Sequence, residues 1–259
     1  MHGKVKYEGV LKEGLILESN NCGRFEVIEY INCSNVTIKF LNTGYCLTGQ
    51  SSTIRRGNVV DKFYPTYCGK GYLGEGQYYQ KLNKDSYTSW KWMISRCYNK
   101  DSNRFDRYGK RGVTVCDEWL NFQNYAEWYY TNLPVKRGIR FNVDKDILKH
   151  GNKVYCPEYC CIVPQKMNAA LVSNNVSRGK YPTGVSKSGN KFAVYCRGSS
   201  RYPEGYLGSF NTIEDAFSAY EKEKRKVLID LAEEYYSLGV ISEDIKDIFS
   251  KYPIEKFPE

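Results

Sequence analysis

The sequence predicts an α+β protein in which a small β-rich N-terminal module precedes a central mixed module and a C-terminal three-stranded sheet with one helix. Three observations predict this arrangement. Short β-branched and aromatic runs fill the first 80 residues, helical spacing of apolar residues begins near Ser86, and three short strands precede a long amphipathic helix after residue 180. Because 259 residues exceed the length of most single domains, we expect several domains.

Residues 1–80 are expected to form a small twisted sheet. The runs GRFEVIEYI, NVTIKFL and YCLTGQSSTIRRG are separated by Asn and Gly turn signals. A glycine-dense stretch, CGKGYLGEGQYY, closes the segment, because repeated glycine suits turns rather than regular elements. The first domain is therefore predicted to end near residue 80.

Two aromatic stripes at helical spacing mark the central domain, residues 86–171. The first stripe is Tyr87, Trp90, Met93 or Ile94, and Cys97, with Ser86 as the predicted N-cap; the second is Trp119, Phe122, Ala126 and Tyr129. Between them, RFDRYGKRGVTVCDEW predicts a basic glycine-containing turn and a short strand. We interpret both stripes as core rather than as a platform for a ligand.

The C-terminal domain, residues 181–238, is predicted to hold three short strands and one long helix. Thr212 and Asp215 have the spacing of a capping box at the helix start, and Gly239 is the stop signal. The helix is expected to pack Ala216, Phe217 and Tyr220 inward. Residues 239–259 are expected to be a C-terminal tail.

Composition indicates a polyanionic partner. The chain has 38 Lys and Arg against 29 Asp and Glu, a formal charge of +9, and 24 tyrosines among its aromatic residues. A merely basic protein would have the same charge, so this alternative stays open. No run approaches the ~20 apolar residues of a membrane helix, and no apolar segment follows Met1. We therefore expect a cytoplasmic protein without a membrane partner, and reduced thiols at its ten cysteines.

Three ordered blocks of the central domain carry a family resemblance. YTSWKWMISRCYN, YGKRGVTVCDEW and VDKDILKHGNKVYCPEYCCIVPQKMN resemble phage-borne HNH homing endonucleases, over roughly residues 86–171. The resemblance implies a ββα-metal domain that cuts DNA with Mg²⁺ or Mn²⁺ inside the bacterial host of a phage.

The residues themselves suggest how such a site would work. Cleavage of a phosphodiester is helped by a hard divalent ion held by oxygen ligands on two rigid elements. Asp144 on a strand and Asn168 on a following helix, with Pro164 at the helix start, could supply them. These two positions match the metal-binding Asp and the final Asn of the HNH pattern.

Two positions depart from that pattern. Lys145 stands where the family has its catalytic histidine, and Tyr159 stands where it usually has an asparagine. A protonated lysine cannot act as a general base, so Lys145 is expected to pair with the scissile phosphate. Metal-bound water or His150 would then act as the source of the nucleophile or as the base; His150 as a solvated turn residue is the alternative. Cleavage by a variant nuclease and simple DNA binding by an inactive descendant both stay open.

The cysteines of the central domain allow a second metal. Cys97, Cys116, Cys156 and Cys160 could hold a structural Zn²⁺. Because no CxxC pair occurs, we favour the interpretation that they are small buried apolar residues.

The C-terminal strands carry a second resemblance. TGVSKSGNKFAVYCR and YLGSFNTIEDAFSAY resemble the plant ethylene-response-factor (AP-two type) DNA-binding domain, over residues 181–225. The resemblance implies a sheet in the major groove of double-stranded DNA, with Lys187, Lys191, Phe192, Tyr195 and Arg197 at the DNA-facing positions. A module that binds protein is the alternative.

The combined hypothesis is a DNA-binding endonuclease or nickase of phage or mobile-element type. The rival is a catalytically inactive DNA-binding or interaction protein: a regulator, a virion component or an inhibitor of a host system.

Overall fold

The computed structural model describes residues 6–171 and 181–257. The predicted boundary between the central and C-terminal domains lies outside the described residues. The chain divides into two compact units, residues 1–130 and 131–259. Both contain helices and strands, which confirms the α+β prediction. Along the described residues, no helix is long and apolar enough to cross a membrane.

The first unit opens with the predicted small sheet, which is confirmed. Its four antiparallel strands lie in chain order and are followed by a short helix: β1 (Ile16–Glu18), β2 (Arg24–Asn32), β3 (Asn35–Phe40), β4 (Cys46–Gly49) and α1 (Ser51–Arg55). Alternate residues of β2 and β3 face inward, as the period of two in a strand requires. Phe25, Val27, Val36, Ile38 and Phe40 are fully buried and form the centre of this core.

The rest of the first unit is helical and aromatic. It consists of α2 (Lys84–Tyr98), two short 3₁₀ turns, β5 (Thr114–Val115), α3 (Asp117–Leu120) and α4 (Phe122–Asn132). Both predicted stripes are core: Trp90, Trp119 and Phe122 are fully buried, and the Trp90 indole donates a hydrogen bond to the Trp119 carbonyl at 2.7 Å.

The predicted N-cap of α2 was wrong. Asn83 takes the cap position, and Ser86 lies buried in the first turn, where its hydroxyl donates to the Asn83 carbonyl at 3.1 Å. The preceding turn holds Asn83 at the start of the helix, because the Asn83 side chain accepts the Tyr79 N–H at 2.7 Å. The Ser86 hydroxyl therefore acts as a donor to a backbone carbonyl, whereas a cap residue would accept a backbone N–H.

The second unit begins with an antiparallel strand pair followed by a helix. Strand β6 (Phe141–Asp144) pairs with β8 (Cys161–Pro164), with Phe141 opposite Pro164 and Asp144 opposite Cys161. Strand β7 (Val154–Tyr155) lies between them in the chain, and α5 (Gln165–Leu171) follows β8 directly. Helix α5 packs on both β6 and β8.

A three-stranded antiparallel sheet and its helix complete the fold as predicted. The strands β9 (Val185–Ser188), β10 (Lys191–Tyr195) and β11 (Tyr206–Phe210) have β10 in the centre, and α6 (Ile213–Ser237) follows. Thr212 caps α6 by accepting the Asp215 N–H at 3.1 Å, and Gly239 follows the helix end in the left-handed conformation. Both helix signals are confirmed.

Helix α6 belongs to two cores at once. Up to Val227, the helix packs Ala216, Tyr220 and Val227 against the sheet β9–β11. Its second half packs Leu228, Ala232 and Tyr235 against β8 and α5, together with Val163 and Met167 among others. The strand pair and the three-stranded sheet are therefore fixed on one continuous helix of 25 residues.

The segment after Gly239, expected to be a tail, contains a further helix. Ser242 caps α7 (Glu243–Ser250) by accepting the Ile245 N–H at 3.3 Å. Phe249 of α7 is fully buried in the same core as the second half of α6. This segment is part of the folded second unit up to Phe257.

Candidate functional site

The strand pair and α5 bring the predicted metal ligands onto one β–β–α arrangement. Asp144 is the last residue of β6, and Asn168 lies one turn into α5, which packs on that strand. Both side chains are partly buried. The order of elements agrees with the one the sequence predicts for these two residues.

One oxygen of Asp144 is already engaged by the loop after β6. Its Oδ1 accepts the backbone N–H groups of Asp146 at 2.7 Å and Ile147 at 2.9 Å. Burial raises the pKa of this carboxyl, and the two backbone hydrogen bonds oppose that shift. Among the described residues, no hydrogen bond reaches Oδ2, so this oxygen is the one left for a ligand.

Lys145 lies inside that loop. Its side chain is buried, and its ammonium donates to Asp146 Oδ1 at 2.7 Å and to the Asn152 carbonyl. A buried ammonium with two acceptors is satisfied without a ligand. In this structure Lys145 stabilises the loop conformation, whereas the sequence-based hypothesis pairs it with the scissile phosphate.

Asn152 closes the same loop, and sequence reasoning missed it. Its side-chain amide donates to the carbonyls of Lys145 at 2.9 Å and Val154 at 2.7 Å, and its Oδ1 accepts the Val154 N–H at 3.1 Å. The side chain is buried. The only signal in the sequence is the Gly-Asn pair of a turn, which does not distinguish a buried asparagine from a solvated one.

His150 contacts the C-terminal segment. Its Nε2 lies 3.2 Å from Glu255 Oε1, and its ring packs against the Tyr252 ring with 5.2 Å between centroids. Burial raises the pKa of Tyr252, so this phenol stays neutral in the physiological range. His150 is therefore a half-exposed residue whose Nε2 faces the Glu255 carboxylate.

The remaining departure from the HNH pattern, Tyr159, is an exposed ring. The Lys149 ammonium lies 4.4 Å from its centroid, a cation–π contact at the surface of the loop. It therefore covers a lysine stem and does not brace the interior of the strand pair.

The four cysteines that could hold zinc are distributed over both units. Cys97 and Cys116 belong to the first unit, and Cys156 and Cys160 belong to the second. Burial raises the pKa of Cys156 and Cys160, which favours neutral thiols. Over residues 6–171 and 181–257, no group of three or more His, Cys, Asp or Glu side chains is arranged to hold a metal ion.

The register of the C-terminal sheet separates two faces. Residues directly opposite each other share a face, and successive residues alternate. Val194 pairs with Val185, and both are buried against α6, so this face is the inner one. Tyr195 pairs with Tyr206 on the outer face. The other outer residues are Ser186, Ser188, Lys191, Ala193 and Ser209.

The outer face carries one lysine, two exposed tyrosines and three serines. Tyr195 and Tyr206 are 51% and 44% exposed, their ring centroids are 5.2 Å apart, and the Tyr206 hydroxyl is 2.9 Å from Ser209 Oγ. Neither Asp nor Glu occurs in β9, β10 or β11. The face therefore offers hydrogen-bond donors and exposed rings without carboxylates to repel an anion.

The five residues predicted to face DNA do not all lie on that outer face. Lys191 and Tyr195 do, and Arg197 is exposed just beyond the end of β10. Lys187 and Phe192 form a cross-strand pair on the inner face, where the Lys187 ammonium lies 4.7 Å from the Phe192 centroid. Tyr206 and Ser209 are outer residues that the sequence-based selection omitted.

Comparison with known proteins returns no relative: no family model, no curated protein and no solved structure matches this chain. The inference of function therefore rests on the residues and on the geometry described above.

Proposed function

We propose that this chain binds double-stranded DNA and that the outer face of the sheet β9–β11 is its main contact surface. One observation carries the proposal: an outer strand face that exposes Lys191, Tyr195 and Tyr206, with no carboxylate on any of its three strands.

The charge of the surrounding segment supports this assignment. Residues 181–211 contain four Lys or Arg residues (Lys187, Lys191, Arg197, Arg201) and one acid, Glu204. Lysine and arginine provide the salt-dependent attraction to phosphates, which supplies most of the affinity of non-specific binding. Serine and tyrosine hydroxyls also bond to phosphate oxygens and base edges. A strand ribbon fits the width of the major groove of B-DNA.

A matched pair of variants tests this surface. Replacing Lys191 and Arg197 together by Ala should weaken binding to a 30-base-pair duplex by about tenfold or more, at roughly 1–3 kcal/mol per good contact. The slope of log affinity against log salt should fall by about 0.9 for each cation removed from a phosphate. Lys187→Ala removes a cation from the inner face and should change both quantities less. Equal affinity for the double variant and the wild type would contradict the proposal.

Metal-dependent nicking is the second candidate function, and one observation favours it. Asp144 keeps an oxygen without a hydrogen bond among the described residues, at the end of a strand on which the Asn168-bearing helix packs. These two residues would hold Mg²⁺ or Mn²⁺. When bound, such an ion would neutralise charge on a phosphodiester and its leaving oxygen.

The chain's own residues limit what else this site does. The Lys145 ammonium is occupied by Asp146 and the Asn152 carbonyl, and His150 is paired with Glu255. The Lys145 side chain is therefore not placed to take a proton from water. This arrangement supports binding as the primary function, with cleavage slow where it occurs.

Incubation with supercoiled plasmid distinguishes the two candidates. A nicking enzyme converts the plasmid to the open circle in Mg²⁺ or Mn²⁺ and does not in EDTA, and Asp144→Ala abolishes the conversion while DNA affinity is retained. A protein that binds the plasmid and never nicks it in either metal is a DNA-binding protein without this activity.

A further inference from the structure

The far end of α6 borders a cleft that neither candidate function uses. The cleft has a volume of about 360 Å³ and lies between the segment before β6, the start of α5 and the last turn of α6. Ile139 and Leu238 contribute apolar surface, and Arg140, Gln165, Lys166 and Glu234 contribute polar groups.

The polar groups of the cleft are accessible to a ligand. Arg140, Gln165 and Lys166 are exposed. Within residues 6–171 and 181–257, neither the Arg140 guanidinium nor the Lys166 ammonium has an ion-pair partner within 4.0 Å. Glu234 is the one carboxylate of the lining, so two cations face one anion and a net positive charge remains. The exposed Arg137 adds a further positive charge in the preceding loop.

This combination of surfaces indicates the chemistry of the ligand. A free phosphate would use only the cations, whereas a ligand with an anionic group on an apolar ring would also cover Ile139 and Leu238. The sugar–phosphate backbone of DNA has this character. Arginine binds phosphate oxygens in a bidentate fashion, and lysine and glutamine donate to them as well.

The position of the cleft relates it to the proposed DNA-binding sheet. Tyr220 of α6 packs behind the sheet, and Tyr235 of the same helix lines the cleft. Fifteen residues at 1.5 Å each separate them by about 22 Å along the helix axis, which is the rise of about six to seven base pairs. Both surfaces belong to the second unit and are held by one uninterrupted helix.

We propose that this cleft binds the phosphodiester backbone of the same DNA molecule that the sheet contacts, as a second anchor at a fixed distance. The proposal rests on the DNA binding proposed above. Arg140 and Lys166 contact the phosphates, and the sugar lies on Ile139 and Leu238. Glu234 opposes binding and limits its strength.

Three variants of the full-length chain test the proposal by fluorescence anisotropy with a 30-base-pair duplex over a salt series. Arg140→Gln with Lys166→Gln should reduce affinity by about tenfold or more and the salt slope by about 1.8, for two phosphates at 0.9 each. Lys222→Gln with Lys226→Gln removes the same charge from exposed positions of α6 and should change the slope less. Glu234→Gln should tighten binding by about two- to fivefold, the range of an exposed charge interaction.

A hydroxyl-radical footprint separates the failure of this inference from that of the proposed function. The wild type should protect two patches of the duplex, and the Arg140/Lys166 variant should lose only one of them. Equal effects of the cleft pair and the α6 pair, or an unchanged footprint, would overturn the second anchor while leaving the sheet assignment intact. The second anchor would also be overturned if the Lys191/Arg197 variant and the Arg140/Lys166 variant lost the same protected patch. A wild type that does not bind duplex DNA would contradict both proposals.

Discussion

Replacement of Asn152 by Ala should loosen the loop that carries Lys145. The variant loses three hydrogen bonds, two donated by the amide to the Lys145 and Val154 carbonyls and one accepted from the Val154 N–H. At a net ~1 kcal/mol for each hydrogen bond, and more where a buried partner is left unsatisfied, we expect a loss of about 3 kcal/mol in unfolding free energy. The effect should be local to the second unit.

Hydrogen exchange measured by mass spectrometry is the appropriate assay, since a chain with two units need not unfold in one transition. The amides of Asp146, Ile147 and Val154 are hydrogen-bonded in the loop and should exchange faster in the variant by about two orders of magnitude, the equivalent of ~3 kcal/mol. Lys153→Ala, at the exposed neighbouring position, is the control and should leave these rates unchanged. Equal rates in the Asn152 variant and the wild type would refute the account of this loop.

Three further predictions concern Asp144 and the C-terminal helix. Because burial raises the folded-state pKa of Asp144, its carboxyl favours the fold most below the ordinary carboxyl pKa, and this contribution is lost as pH rises through the folded pKa. Asp144→Asn keeps an acceptor for both backbone N–H groups and has no carboxyl to ionise. Its free energy of unfolding in urea, relative to that of the wild type, should therefore increase with pH. A difference between the two free energies that does not change with pH would contradict this. Mn²⁺ should raise the Tm of the wild type and not of Asp144→Asn if Asp144 is a metal ligand, and equal Tm shifts would exclude that role. Phe249→Ala should cost about 3–5 kcal/mol by emptying a buried site, whereas Phe257→Ala, at a 60% exposed residue, should cost little; similar midpoints of urea unfolding would show that α7 is not part of the core.

The parts of the fold that depend on local pattern could be predicted from the sequence. The aromatic stripe around Trp90 is core because three- and four-residue spacing places its rings on one face of α2. The second predicted stripe is buried as well, but Asn121 divides it between α3, which carries Trp119, and α4, which carries Phe122. The two ends of α6, at Thr212 and Gly239, could be predicted because a helix cap and a left-handed stop depend on only a few adjacent residues. The same kind of signal is present in α7, where Ser242 precedes an amphipathic segment that contains the buried Phe249, so the prediction of a tail there was wrong.

The candidate sites depend on contacts that the sequence does not display. In KFAVYC, Phe192 and Tyr195 lie on opposite faces, so alternation alone does not decide which aromatic faces the helix. Pairing with β9 and β11 and packing against α6 determine that Phe192 lies on the inner face. The orientation of Lys145 is set by the Asn152 carbonyl seven residues later, a contact that exists only once the loop has closed. Sequence reasoning therefore located the strands and the charged residues. It could not assign the sheet face on which a side chain lies or the group that it contacts.

Helix α6 fixes the position of the three-stranded sheet relative to the strand pair within the second unit. Since α6 packs behind the sheet and beside the strand pair, a DNA molecule held by the outer face has a fixed orientation relative to Asp144 and to the Arg140 cleft. No flexible linker intervenes along residues 213–237. The position of contacts on DNA should therefore be constant from site to site, whatever the base sequence.

Photo-crosslinking from single positions of the sheet tests the central claim most directly. A photoreactive amino acid is introduced in place of Ser209 on the outer face or of Lys187 on the inner face, and the full-length protein is irradiated with labelled duplex DNA. We predict a crosslink from the Ser209 position that disappears as salt is raised, and little or none from the Lys187 position. A crosslink from the Lys187 position alone, or equal crosslinking from both, would contradict the assignment of the outer face as the DNA-binding surface.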